Sequence, residues 1–262
     1  VYDKTQPGRF RYYRARYQLG DLSALMRTNI SKKVNLLYGP VYQFYSFDAD
    51  DKFNKVRYIT KTALNGLDPA TLFENQSYFG GRFALNIDTR NNMVNPQKGI
   101  LWITNVRHLS GLSDTKYKVT QLNSDFSFYL PLVKNKLILA NRFGGGHNFG
   151  DFEFYQAQYL GSEDNLRGYR KYRFAGRSKV YNNVELRWGV ANFKTYLFPA
   201  AFGLVGFYDT GHVWDDSDNS DKWASGYGGG IWFSPLSRIV LTVTYTTSEE
   251  DSMPLVGFSW RF

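Results

Sequence analysis

The segment Pro254-Leu-Val-Gly-Phe-Ser-Trp-Arg-Phe262 puts Val256, Phe258, Trp260 and Phe262 on one face of an extended chain and Gly257, Ser259 and Arg261 on the other. Upstream, Ile239, Leu241, Val243 and Tyr245 alternate in the same way with Val240, Thr242, Thr244 and Thr246. Period-2 alternation marks half-buried β-strands. A helical membrane protein needs runs of about 20 apolar residues, and this chain has none. Two architectures remain, a soluble sandwich and a barrel in lipid. A sandwich encloses its apolar face and has no special use for aromatic residues at strand ends. A barrel in lipid uses them as interfacial girdles. The 20 Tyr and 21 Phe among 262 residues favour the barrel. A mean hydropathy of −0.43 agrees, because lipid-facing and lumen-facing side chains cancel in the average.

Twelve strand candidates follow, near 9–19, 22–32, 34–48, 76–89, 100–112, 115–132, 137–149, 180–192, 200–214, 223–234, 238–248 and 254–262. Phe10 to Leu19 alternates poorly. Tight turns at Lys32-Lys33, Lys134-Asn135 and Ser234-Pro-Leu-Ser237 alternate with the longer segments 49–75, 150–179 and 215–222. Bacterial outer-membrane barrels show this asymmetry, with short periplasmic turns and longer extracellular loops. The reading is all-β: one antiparallel up-and-down transmembrane barrel over 1–262, of about 12 strands, with loop 150–179 folded into the lumen. An even strand number places both termini in the periplasm. The chain starts at Val1 without an initiator Met or signal peptide, so the expectation is a mature chain or the C-terminal part of a longer one.

The longest loop carries Gly161-Ser-Glu-Asp-Asn-Leu-Arg-Gly-Tyr-Arg-Lys-Tyr-Arg-Phe-Ala-Gly-Arg-Ser178. Arginines interleaved with aromatics can bind single-stranded nucleic acid. Here, however, they are confined to one loop between alternating strands, and no nucleic-acid-binding signature accompanies them; no nucleic-acid partner is expected. Folded inward instead, Arg167 needs a carboxylate, because a buried unpaired charge is costly. Parity supplies two. Val184, Leu186 and Trp188 facing lipid turn Glu185 inward, and Phe202, Leu204 and Tyr208 facing lipid turn Asp209 inward. A guanidinium can donate to both from its planar fork, so an Arg167–Glu185/Asp209 cluster is predicted. Gly168 lets the backbone approach another surface closely. The net charge of +9 is assigned to lumen-facing residues including Arg82, Arg142 and Arg187, with Asp88 and Asp125 as inward carboxylates available for pairing.

Leu166-Arg-Gly-Tyr169, Asn182-Asn-Val-Glu185, Phe207-Tyr-Asp-Thr-Gly211, the turn Asp88-Thr-Arg-Asn-Asn-Met-Val-Asn-Pro-Gln-Lys-Gly99 and the terminal Phe262 together resemble the C-terminal barrel of the Omp85 superfamily, of the BamA/TamA-like (bacterial surface antigen) kind. Its members assemble or translocate proteins at the outer membrane. The resemblance spans roughly 76–262. It implies that the motif residues Leu166, Arg167, Gly168 and Tyr169 dock on the inward carboxylates Glu185 and Asp209, with Phe207, Asp209 and Gly211 as a strand motif. It also implies a weak seam at the last strand, carrying Gly257, Phe258, Trp260 and Phe262, where client strands enter. Gly257 would weaken packing there. The family barrel usually has sixteen strands, so either four N-terminal strands are missing from this chain or this is a smaller barrel of twelve; the periplasmic repeat domains that usually precede it are absent from this sequence.

The implied partners are outer-membrane lipids or lipopolysaccharide, unfolded outer-membrane or secreted clients, and periplasmic domains or lipoproteins. The alternative is a passive barrel that anchors or exports a fused patatin-like or phosphoesterase-like hydrolase, or a small pore. No enzyme is read in this chain, and no cofactor or metal. His108, His147 and His212 show no metal-ligand spacing, no nucleophile elbow is present, and there is no cysteine. The acidic runs Asp48-Ala-Asp-Asp51 and Asp215-Asp-Ser-Asp-Asn-Ser-Asp221 read as solvated loop tips, or as points of cation bridging to lipopolysaccharide.

Overall fold

The computed structural model describes residues 17–47, 74–112, 117–134, 136–162, 164–194, 199–215, 222–236, 238–260 and 262. The strands are β1 (Gln18–Ser23), β2 (Met26–Asn29), β3 (Val34–Ser46), β4 (Gln76–Asp88), β5 (Gly99–Gly111), β6 (Lys118–Val133), β7 (Leu137–Gly150), β8 (Gln158–Leu160), β9 (Phe174–Gly176), β10 (Ser178–Lys194), β11 (Pro199–Trp214), β12 (Ala224–Pro235), β13 (Leu241–Ser248) and β14 (Ser252–Gly257). Twelve of them form one antiparallel sheet in up-and-down order, and β8 and β9 pair separately inside the β7–β10 loop. β1 and β14 stand at the two ends of the pairing order.

Alternation decides the two faces. On β10 and β11 Leu186, Trp188, Leu204 and Tyr208 are exposed outward, while Glu185, Arg187, Val205, Phe207 and Asp209 are buried. An apolar exterior around a polar, aromatic interior is the pattern of a barrel in lipid. The inner surfaces meet across the lumen. Asp21 on β1 pairs with Arg107 on β5 at 2.5 Å. Tyr155 of the long loop stacks on Tyr45 of β3, with ring centroids 4.1 Å apart.

Three expectations need correcting. The break expected between residues 19 and 22 does not exist, since Gln18–Ser23 is one strand. β1 and β2 both pair with β3; they are two halves of a single pass, interrupted at Ala24 and Leu25. The additional pass expected at 9–19 otherwise lies outside the described residues, as do the loop tips 48–51 and 216–221. Second, the last strand does not run to residue 262. It ends at Gly257, and alternation fails beyond Phe258: Val256 and Phe258 are 59% and 75% exposed, but Trp260 and Phe262 only 8% and 7%. Leaving the sheet lets the chain turn these two large rings into the lumen, where they bury aromatic area. Third, neither Asp88 nor Asp125 serves the lumenal arginines named above. Asp88 takes a forked contact from Arg90 in its own turn, at 3.0 and 2.8 Å, and Asp125 accepts the Tyr181 hydroxyl. Arg82 and Arg142 donate to the side-chain amides of Asn105 and Asn183.

Candidate functional site: the inserted loop and its arginine

The β7–β10 loop crosses the inner face of the sheet. Its first part is a short 3₁₀ turn, Phe154–Gln156, which reaches the N-terminal strands. The Tyr155 hydroxyl lies 3.0 Å from that of Tyr78, and Gln156 donates to Gln43 at 2.9 Å. Burial, with Tyr78 beside it, pushes the Tyr155 hydroxyl well above its usual range, so it stays a neutral donor. Farther along, the loop turns to β10–β13. Leu166 and Tyr169 are buried with Leu160 and Tyr181, and the Tyr169 hydroxyl donates to the Ser225 carbonyl at 3.2 Å.

Arg167 is the hub between these parts. Its Nε and Nη2 donate to Asp209 Oδ2 and Oδ1, each at 2.6 Å. Nη1 donates to Glu185 Oε1 at 2.7 Å, and its backbone N–H adds a bond to Asp209 Oδ2 at 3.0 Å. The guanidinium carbon sits 3.5 Å from the centre of the Phe207 ring, a cation–π contact in a desolvated site. Register explains the convergence. Glu185 lies opposite Phe207, and Asp209 opposite Asn183, so the two carboxylates are inward-facing diagonal neighbours. Burial works against the charge on Arg167, but Glu185 and Asp209 overcome it and hold the guanidinium above its ordinary range.

Two glycines admit the loop. Gly168 has φ +89°, and a Cβ there would stand 2.8 Å from the Cβ of Ser248. A Cβ on Gly226 would lie 1.9 Å from the Arg167 carbonyl oxygen. Only glycine fits the first without backbone strain, and the second without pushing the loop off β12. Ser248 Oγ donates to the Gly168 carbonyl at 2.7 Å. Farther out, Arg173 pairs with Glu250 at 2.5 Å and Arg170 with Asp251 at 3.4 Å, tying the loop to the β13–β14 connection.

The structure brings Leu166, Arg167, Gly168, Tyr169, Glu185, Phe207 and Asp209 into one site. Gly211 is nearby, paired with Tyr181. The C-terminal group divides. Gly257 closes β14 opposite Thr242, Phe258 faces outward, and Trp260 and Phe262 enter the lumen. Four participants escaped the sequence reading. Asn183 is fully buried, with its amide donating to the Asn165 carbonyl at 2.9 Å; its place in the quoted Asn182-Asn-Val-Glu185 run, at inward parity, was a usable signal. Arg187 as a partner of Glu185 carried the same signal, two residues after it at inward parity; Gly226 and Ser248 had none. The histidines are held locally: His108 by Thr120 at 2.8 Å, His147 by Ser178 at 2.6 Å, and His212 by the Lys222 carbonyl at 3.0 Å.

These features define a transmembrane antiparallel up-and-down β-barrel whose lumen holds a loop pinned by a buried arginine. The Omp85 superfamily domain matches residues 3–262, and the chain belongs to that superfamily. In fold it is similar to BamA from Haemophilus ducreyi, solved without its POTRA domains 1–3. The TM-score is 0.66 at 16% identity, over 93% of this chain and 54% of that one; the chain thus spans about half the length of that solved chain. No curated protein matches it significantly in sequence.

Proposed function

We propose that this barrel inserts or translocates proteins at the bacterial outer membrane, with client strands engaging a seam at β14. The observation that carries this reading is the loop site: the family's Arg-Gly-aromatic motif, held by Glu185 and Asp209 inside a barrel of that superfamily. Supporting it, β14 is short and stands at one end of the pairing order. An unpaired strand edge in lipid is costly, and an incoming strand satisfies it by β-augmentation. In this reading the long-loop end faces outside and the short-turn end faces the periplasm. The C-terminal tail is then periplasmic; a periplasmic N-terminus requires residues 1–16 to cross back from the end where β1 begins. Clients would be unfolded outer-membrane or secreted proteins, and the surroundings outer-membrane lipid and lipopolysaccharide. No bond-making chemistry is assigned to the barrel.

The test is reconstitution in liposomes with a urea-unfolded outer-membrane barrel as client. The expected result is faster client folding than in empty liposomes, with the gain lost in Arg167→Ala. Equal rates with and without the protein would discard the insertion reading and favour the passive anchor.

A further inference from the structure

Glu185 serves two arginines. Its Oε1 accepts Arg167 of the loop at 2.7 Å. Its Oε2 accepts Nε and Nη2 of Arg187, two residues along the same face of β10, at 2.9 and 2.7 Å. Arg187 in turn seats the C-terminal tail. Its Nη2 donates to the Phe262 carbonyl at 3.2 Å, and its guanidinium carbon lies 4.0 Å from the centre of the Trp260 ring. Trp260 packs with Trp232, Val205 and Val240, and its Nε1 donates to Asn95 Oδ1 in the β4–β5 turn at 2.9 Å. The Phe262 ring lies near Tyr129 and Arg142. One continuous chain of contacts therefore runs from the inserted loop, through a single carboxylate, to the tail of the end strand and the turn at the opposite rim.

We infer that Glu185 and Arg187 couple the seating of the loop to the seating of the tail. The geometry supplies the mechanism. Arg187 and Glu185 are both 2% exposed, so neither can exchange its partner for bulk water in place. When the tail leaves, Arg187 loses the Phe262 carbonyl and the Trp260 ring and opens to solvent. Its hold on Glu185 then weakens, and so does the carboxylate orientation that Arg167 requires. The seat is also incompletely satisfied. Arg187 Nη1 is buried without a hydrogen-bond partner among the described residues, which lowers the penalty for releasing the tail. Coupling of this kind is reciprocal: loosening the loop must release the tail by the same factor. The tail continues β14, so loop occupancy would bias the position of the sheet's end strand. The inference stands on this geometry whether or not the barrel acts on clients.

Hydrogen exchange read by mass spectrometry on the whole protein in micelles tests it. Trp260→Ala is expected to speed exchange of loop amides 164–169 by about tenfold, and Arg167→Gln to speed tail amides 258–262 by a similar factor. The amides of β4–β7 serve as the fold control. In an Arg187→Met background, Trp260→Ala should no longer reach the loop. If that background fails the control, Arg187→Lys takes its place, because it keeps the charge but loses the fork and the stacking. Tail release confined to the tail in Trp260→Ala, loop release confined to the loop in Arg167→Gln, or coupling that persists without Arg187 would each overturn the inference.

Discussion

Arg167 shows what a single buried charge demands of its surroundings. Asp209 and Glu185 are 0% and 2% exposed, so removing the arginine takes the forked cation from one buried carboxylate and one of two arginines from the other, rather than merely deleting a contact. Breaking a buried pair in this way costs about 3–5 kcal/mol. Arg167→Ala should therefore lower the urea midpoint of the micelle-held barrel by a corresponding amount. Arg167→Lys should recover only part of the loss, because a point charge cannot bridge Glu185 and both oxygens of Asp209 in one plane. Gly226→Ala probes the same site from the other side. Its Cβ would collide with the Arg167 carbonyl oxygen at 1.9 Å. Overpacking of this kind costs roughly 1–3 kcal/mol, and limited proteolysis should show the loop loosened while strands β4–β7 stay protected. The arginine, its partners and Phe207 were legible in the sequence because inward parity and the motif both indicate them. Gly226 was not, because nothing local reveals that another backbone lies against it.

Among the elements, β10 has the most demanding pattern. One face carries Asn183, Glu185 and Arg187 in a buried polar row, and the other carries Leu186 and Trp188 toward lipid. Leu186 sits at the middle of the strand. Leu186→Arg should thus destabilise the bilayer-embedded barrel by about 2–4 kcal/mol, measured by reversible unfolding from vesicles. The β13–β14 connection behaves differently. Its ion pairs to Arg173 and Arg170 are partly exposed, so Glu250→Ala should cost no more than about 1 kcal/mol, an effect that fades in high salt. A larger, salt-insensitive loss would show that these pairs hold the hairpin. The strand limits read from alternation hold for β3 to β7 and β10 to β13 to within a few residues. They fail at both ends of the sheet. At the N-terminal end, one pass broken at Ala24 and Leu25 looks like the start of a new strand. At the C-terminal end, Phe258, Trp260 and Phe262 keep the period of a strand although the chain has left the sheet.

Taken whole, the molecule is a barrel filled from both ends, by the loop from one rim and by the tail from the other. Interior width grows with strand number, and a small barrel has room for little more than its own side chains. The intact protein should accordingly pass little current in planar bilayers, and replacing residues 151–177 with a short Gly/Ser linker should open a steady conductance. A large current through the intact chain would contradict the filled lumen. The sequence by itself determined the β class, the inward and outward faces of the strands before the C-terminal tail, the alternation of short turns with long loops, and the arginine with its two carboxylates. All of these follow from a period of two residues or from a contiguous motif. The tertiary structure alone decided which inward groups meet. Tyr155 reaches Tyr45 and Tyr78, Asp125 serves Tyr181, Arg187 shares Glu185 with Arg167, and Trp260 and Phe262 turn into the lumen. Alternation records only that a side chain points inward. Sheet curvature and strand register set what stands opposite it, and those are fixed by pairing between strands rather than by the local pattern.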